Sequence, residues 1–207
     1  MAIKPILFNT EMVRAILDGR KTCTRRIVRP PYFVDGDEND KRSLITLRTA
    51  TKNSSLYRQI GQMPYPDAPY RMCDILYVRE TWYKGLERYI YRADYSDTEK
   101  FYRDGKEIEM KWHPSIHMPK EAARIWLKVT DVRVERLQEI TIDEIRKEGL
   151  EPRFDVKDKF SDGIARGRFL ELWNSTIKKS DLDRYGWNAS PWVWVIEFER
   201  CEKPENL

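Results

Sequence analysis

Apolar residues change their spacing several times along the chain, and each change marks an element. Ile6-Leu7-Phe8 is a short continuous run that reads as an opening strand. Asn9 or Thr10 then offers a helix N-cap. Met12, Val13, Ile16 and Leu17 share one helical face before Gly19, so the spacing predicts a helix over about 10–18. The segment from Thr22 to Val28 is rich in β-formers and runs into Pro30-Pro31, which predicts a strand. Lys21 and Thr24 therefore follow a helix end, where a turn can present them to a cleft.

Residues from about 30 to 72 hold two proline clusters and an acidic patch, and read as an insertion with a short hairpin near Leu44 to Leu47. Regular patterning returns at Asp74 to Trp82, a buried strand, and at Tyr89-Ile90-Tyr91, a candidate hairpin partner. Ile125, Leu127 and Val129 alternate, and Val132 and Val134 resume after a phase shift at Thr130-Asp131. One long strand with a bulge fits that pattern. Thr141 and Glu144 form a capping box for a helix that stops at Gly149. Ala165, Phe169, Leu172, Trp173 and Ile177 mark another helix, and Pro191 to Phe198 a closing strand. Strands outnumber helices and do not alternate with them in βαβ fashion. The expected class is α+β, a mixed sheet or small β-barrel with flanking helices, forming a single domain over 1–207.

Composition changes this picture little. Apolar residues make up 41% and charged residues 35%, as in a globular protein. The net charge is only +4, but Arg20, Lys21, Arg25, Arg26 and Arg29 fall within ten residues with no acid among them. Three scattered cysteines support neither a disulfide framework nor a cysteine zinc site. No run approaches membrane-spanning length and no leader is evident, so a cytoplasmic protein is expected. The chain has no GxGxxG motif and no P-loop, so no organic cofactor is expected.

Chemistry concentrates in Gly19-Arg20-Lys21-Thr22-Cys23-Thr24-Arg25-Arg26. A threonine hydroxyl becomes a nucleophile only beside a base, and a lysine amine serves if low dielectric or nearby cations keep part of it neutral. The alternative is a basic helix end whose cations favour the helix dipole. Cys23, beside Lys21 and Arg25, is a lesser nucleophile candidate. In Arg79-Glu80-Thr81-Trp82, Trp82 could stack on a base, Arg79 pair with a phosphate and Glu80 act as acid or base; a buried strand end explains the same residues. His113 and His117 are four apart, but Pro114 and the lack of further ligands argue against metal. The Tyr185-Gly186-Trp187-Asn188 loop is a candidate rim.

The Gly-Arg-Lys-Thr-x-Thr-x-Arg pattern after a short helix resembles the signature of the ASCH family, whose fold is a PUA-like mixed β-barrel. Residues 73–82, Pro114 to Pro119, Glu148-Gly149-Leu150 and Trp192 to Phe198 are similar to segments of long ASCH proteins from phage and prophage genomes. A phage-encoded member would act in the host cytoplasm. One compact branch of the family removes the acetyl group from acetylcytidine with a lysine, a threonine and a glutamate. The resemblance implies those roles for Lys21, Thr24 and Glu148; Arg20 and Arg26 of the motif join Arg79, Glu80 and Trp82, read above from their residue types, as substrate-binding candidates. It implies a modified nucleoside, a nucleotide or single-stranded RNA as partner. Two other readings stay open: an RNA-binding module without chemistry, and a metal-independent single-strand ribonuclease.

Overall fold

The computed structural model describes residues 1–28, 68–103, 105–150 and 159–205. The expected insertion falls mostly outside these residues, and the hairpin near 44–47 falls wholly outside them. The first strand, β1 (Ile3–Leu7), leads into helix α1 (Thr10–Leu17), where the Asn9 side chain accepts the Met12 N–H as N-cap. Asp18 and Gly19, the latter at φ +75°, turn the chain back into β2 (Cys23–Ile27). Beyond come β3 (Ile75–Arg79), β4 (Trp82–Lys84), β5 (Tyr89–Tyr91), β6 (Phe101–Arg103), β7 (Lys106–Ile108) and β8 (Trp126–Arg136). Helices α2 (Ile142–Lys147), α3 (Lys159–Ser175) and α4 (Leu182–Tyr185) precede the last strand, β9 (Trp192–Cys201).

Five strands make one sheet in the order β1-β3-β8-β9-β2; β4-β5 and β6-β7 are separate hairpins. β1 runs parallel to β3 and every other pair in the sheet is antiparallel. β8 slips register between Val129 and Asp131, the bulge that the phase shift predicts. The bulge keeps Leu127, Val129, Val132 and Val134 on one buried face, with Ile6, Leu76, Trp194 and Ile196 and, from α1, Val13 and Ile16. On the opposite face Cys23, Val193 and Val195 pack against Ile145 of α2 and Phe169 and Trp173 of α3. A third cluster gathers Ile75, Trp82, Met118 and Trp126.

Two expectations need correction. The mixed α+β sheet with flanking helices is present, but it does not close into a barrel. Its edges, β1 and β2, share no backbone ladder. Side chains bridge the seam instead: Arg26 donates to the Leu7 carbonyl at 2.9 Å, and both Arg26 and Lys21 lie 5.5 Å from the Phe8 ring centre. Residues 74–82 are also not one strand. β3 ends at Arg79, and from Trp82 the chain pairs with β5 in another sheet. The break falls at Glu80, whose N–H meets the Met118 sulfur at 3.2 Å and whose carboxylate is held by Arg124.

Candidate functional site

Two helix ends meet at Lys21. After α1, the Lys21 N–H returns to the Ala15 carbonyl at 2.9 Å, while the Thr22 N–H reaches the Lys147 carbonyl at the end of α2. The backbone of Lys21 is thereby bridged to that of Glu148. Gly149, at φ +88°, ends α2 and permits the close approach. The Lys21 side chain is fully enclosed and that of Glu148 is 4% exposed. Nζ donates to the Cys23 carbonyl at 2.7 Å, the Glu148 carbonyl at 3.0 Å and Glu148 Oε2 at 2.7 Å. Three acceptors match the three N–H groups of an ammonium.

Glu148 is shared. Its Oε1 accepts from Arg25 at 3.2 Å, and the Arg25 guanidinium also faces Glu135 and Glu144, each at 3.2 Å. These groups come together because of strand register. Across β2, β9 and β8, Arg25 lies opposite Val195 and Val195 opposite Arg133, with Glu197 and Asp131 in the row before and Glu135 in the row after. Arg133 joins Asp131, Glu197 and Glu144 at 2.6–3.0 Å. An alternating line of charges thus leads from enclosed Lys21 to the half-exposed rim. Taking an ion out of water costs several kcal/mol, so each buried member requires its partners. Burial alone would lower the Arg25 pKa, but Glu148 and the other anions outweigh it and raise it. Burial would raise the Glu144 carboxyl, but the Thr141 N–H and the two arginines hold it below the usual range.

Arg25 was read from sequence only as one of a basic cluster and was given no catalytic or substrate-binding role. The signal was strand alternation: Cys23, Arg25 and Ile27 share a face, so a strand there sends an arginine inward with two apolar neighbours. Its Nε–H has no hydrogen-bond partner among the described residues despite burial, a cost of about 1–3 kcal/mol if it stays unmade.

Thr24 is 2% exposed and its hydroxyl makes no hydrogen bond with a described residue. The Lys21 ammonium sits on the carbonyl of the Cys23–Thr24 peptide, but no bond joins the two side chains. Cys23 is no activated thiol: burial first, then the Glu148 charge, push it up to about 12. Arg20 lies beside the pair and donates to the Gly149 carbonyl and to Asp18, both at 2.7 Å. It lines two recesses of about 390 and 260 Å³ that share Gly149 and Leu150; Glu148 lines the second. Arg25 and Arg26 line a cavity of about 380 Å³ under the end of α3.

Arg79, Glu80 and Trp82 have other partners. Arg79 donates to the Met118 carbonyl at 2.7 Å. Glu80 is 1% exposed and takes two bonds from Arg124, at 2.9 and 3.1 Å; burial raises its carboxyl against that cation. Trp82 packs in the third cluster, its ring 5.0 Å from His113 and 5.5 Å from Tyr89. These side-chain partners are different from those of Lys21 and Glu148. His113 stacks between aromatics, and among the described residues no group of three potential ligands gathers for a metal. No helix among them is long and apolar enough to cross a membrane.

No family model matches the chain, and no curated protein does. Among solved structures it is similar to an ASCH domain from Lactobacillus crispatus JV V101, with 12% sequence identity and a TM-score of 0.36 over 96% of this chain and 79% of that chain.

Proposed function

We propose that this chain is an ASCH-type protein that hydrolyses an N-acylated cytidine-type nucleoside or nucleotide, with Lys21, Thr24 and Glu148 as the reacting groups. The observation that carries the reading is the enclosed Lys21–Glu148 pair, 2.7 Å apart; Thr24, three residues further along the chain, is buried and its hydroxyl bonds to no described residue. Two backbone carbonyls suffice for the two N–H groups of a neutral amine; the third proton is the one that faces Glu148. Transfer of that proton to Glu148 frees a lone pair on Nζ. The amine then takes the Thr24 proton as Oγ1 bonds to the acyl carbon. The acyl carbon–nitrogen bond breaks, the cytosine amine departs with the proton held at Glu148, and water releases the acid from Thr24. Arg25 acts through Glu148: it holds the carboxylate in place at 3.2 Å, so its role is positioning.

The saturated hydrogen bonding of Lys21 favours a second reading, in which the ammonium is a structural latch and the basic β2 surface binds RNA without chemistry. One screen separates the readings. The hydrolase releases acetate from acetylcytidine, and Thr24→Ala or Lys21→Ala removes at least about 10²-fold of that rate. A binder shows affinity that falls steeply with salt and no turnover in any variant. Metal-independent cleavage of single-stranded RNA that survives Thr24→Ala would instead assign a ribonuclease.

A further inference from the structure

Resting on that reading, the geometry points to a nucleotide subsite in the cavity between the outer edge of β2 and the C-terminal end of α3. We infer that it favours a 5′-phosphorylated substrate over the free nucleoside. The cavity is about 380 Å³, within the roughly 300–1,000 Å³ of small-molecule sites. Its walls supply three kinds of contact.

The first is a backbone edge. β2 is an outer strand of the sheet, and the Val28 N–H bonds to Trp192 of β9. Alternation then turns the backbone groups of the odd-numbered residues outward. The Cys23 carbonyl obeys this, since it meets the Lys21 ammonium. Arg25 and Ile27 are the next outward positions, and both line the cavity. A strand edge alternates donors and acceptors as the hydrogen-bonding edge of a nucleobase does. It runs directly on from the proposed reacting amine.

The second is aromatic. Trp173 and Tyr185 line the cavity, and the Trp173 indole N–H is already committed to the Tyr185 carbonyl at 2.8 Å, which fixes the ring. The third is cationic. Arg26 and Lys178 line the cavity with one acid, Asp181; Arg25, also in the lining, is already paired with Glu135, Glu144 and Glu148. Arg25 is 4% exposed and its Nε–H is a buried donor with no partner among the described residues, so a ligand oxygen would satisfy it. Lys178 is exposed at the mouth and pairs with no described residue, as suits a group that meets an incoming phosphate. Base edge, aromatic wall and cations together describe a nucleoside monophosphate.

The test compares acetylcytidine with its 5′-monophosphate as substrates, and cytidine monophosphate with cytidine and inorganic phosphate in calorimetric titrations. The phosphorylated forms are expected to have at least about tenfold higher kcat/KM and affinity, a preference that Lys178→Ala brings close to unity and Lys178→Arg restores. Equal use of both substrates overturns the subsite and leaves the hydrolase reading standing. Lys178-dependent binding of cytidine monophosphate with no turnover of either substrate supports the subsite and sinks the hydrolase. Tight binding of a short RNA with none of the monophosphate overturns the subsite in favour of a phosphodiester surface.

Discussion

A Cβ added to Gly149 would stand 2.8 Å from the Ala15 Cβ and 2.9 Å from the Lys21 Cβ, on a backbone at φ +88°. Both neighbours are fixed, one in α1 and one in the backbone bridge to Glu148, so neither can withdraw cheaply. Gly149→Ala is expected to cost roughly 2–4 kcal/mol, the sum of left-handed strain and overpacking. Gly167, exposed on α3 with nothing within 4 Å of its added Cβ, provides the control. There alanine should add roughly 0.5–1 kcal/mol. Urea denaturation of both variants is the check, and an unchanged midpoint for Gly149→Ala would contradict this packing. Sequence had pointed to Gly149 only as a helix stop; its contact with Lys21 links residues 128 apart, and no local pattern encodes that. Lys21, by contrast, was legible through the motif and Glu148 through the family resemblance, and the structure joins the two at 2.7 Å. The burial of Arg25 went unread because a charge cluster near a helix end reads as solvated, and only the face of β2 turns it inward.

Elements were legible where their signal was local. The capping box of α2 appears as expected, with the Thr141 side chain accepting from the Glu144 N–H at 3.3 Å and the Glu144 carboxylate from the Thr141 N–H at 2.9 Å. The end of β3 was not legible, because the groups that hold Glu80 where the strand ends, Met118 and Arg124, lie far along the chain. Nor did the pattern predict the parallel pairing of β1 with β3. That pairing is pinned by Asp74, which is buried at the start of β3. Its carboxylate accepts from the Ala2 N–H at 2.8 Å and the Arg71 N–H at 3.0 Å, and pairs with Lys4 at 2.9 Å. Burial by itself would raise the Asp74 pKa, but these donors outweigh it and hold the carboxyl below its usual range. The folded chain therefore binds this proton less readily than the unfolded chain. The stabilisation is complete above the unfolded carboxyl value and fades as pH falls through the depressed one. Asp74→Asn should accordingly lower the urea midpoint at neutral pH and approach wild type in strong acid. A deficit that stays constant across that range would place the effect in packing rather than in the carboxylate's charge.

Over the whole molecule, β9 is the element on which both large clusters depend. Trp194, Ile196 and Phe198 face the α1 side, while Val193 and Val195 face α2 and α3. β9 is paired along its length with β8 and with β2 on its other edge. The strand order that produces this arrangement joins residues from distant parts of the chain, so it was beyond reach of spacing arguments, although both strands had been identified. The same arrangement dictates how the fold opens. Exposing a β8 or β9 amide requires parting the ladder and uncovering two apolar clusters, which amounts to global unfolding. The β6–β7 hairpin contrasts with this. It has three residues per strand and belongs to no larger sheet, and Gly105 in its turn is exposed. An isolated two-stranded hairpin is marginally stable on its own. Native-state hydrogen exchange should therefore show β6–β7 amides exchanging orders of magnitude faster, with little dependence on denaturant, while amides of β8 and β9 exchange together with a free energy that tracks the urea-measured stability. Val195→Ala, which trims the face towards Phe169, should accelerate exchange on both faces of β9 alike, since the ladder cannot open for one cluster and stay closed for the other. Acceleration confined to the α2–α3 side would mean that the two clusters unfold as separate units despite sharing a strand.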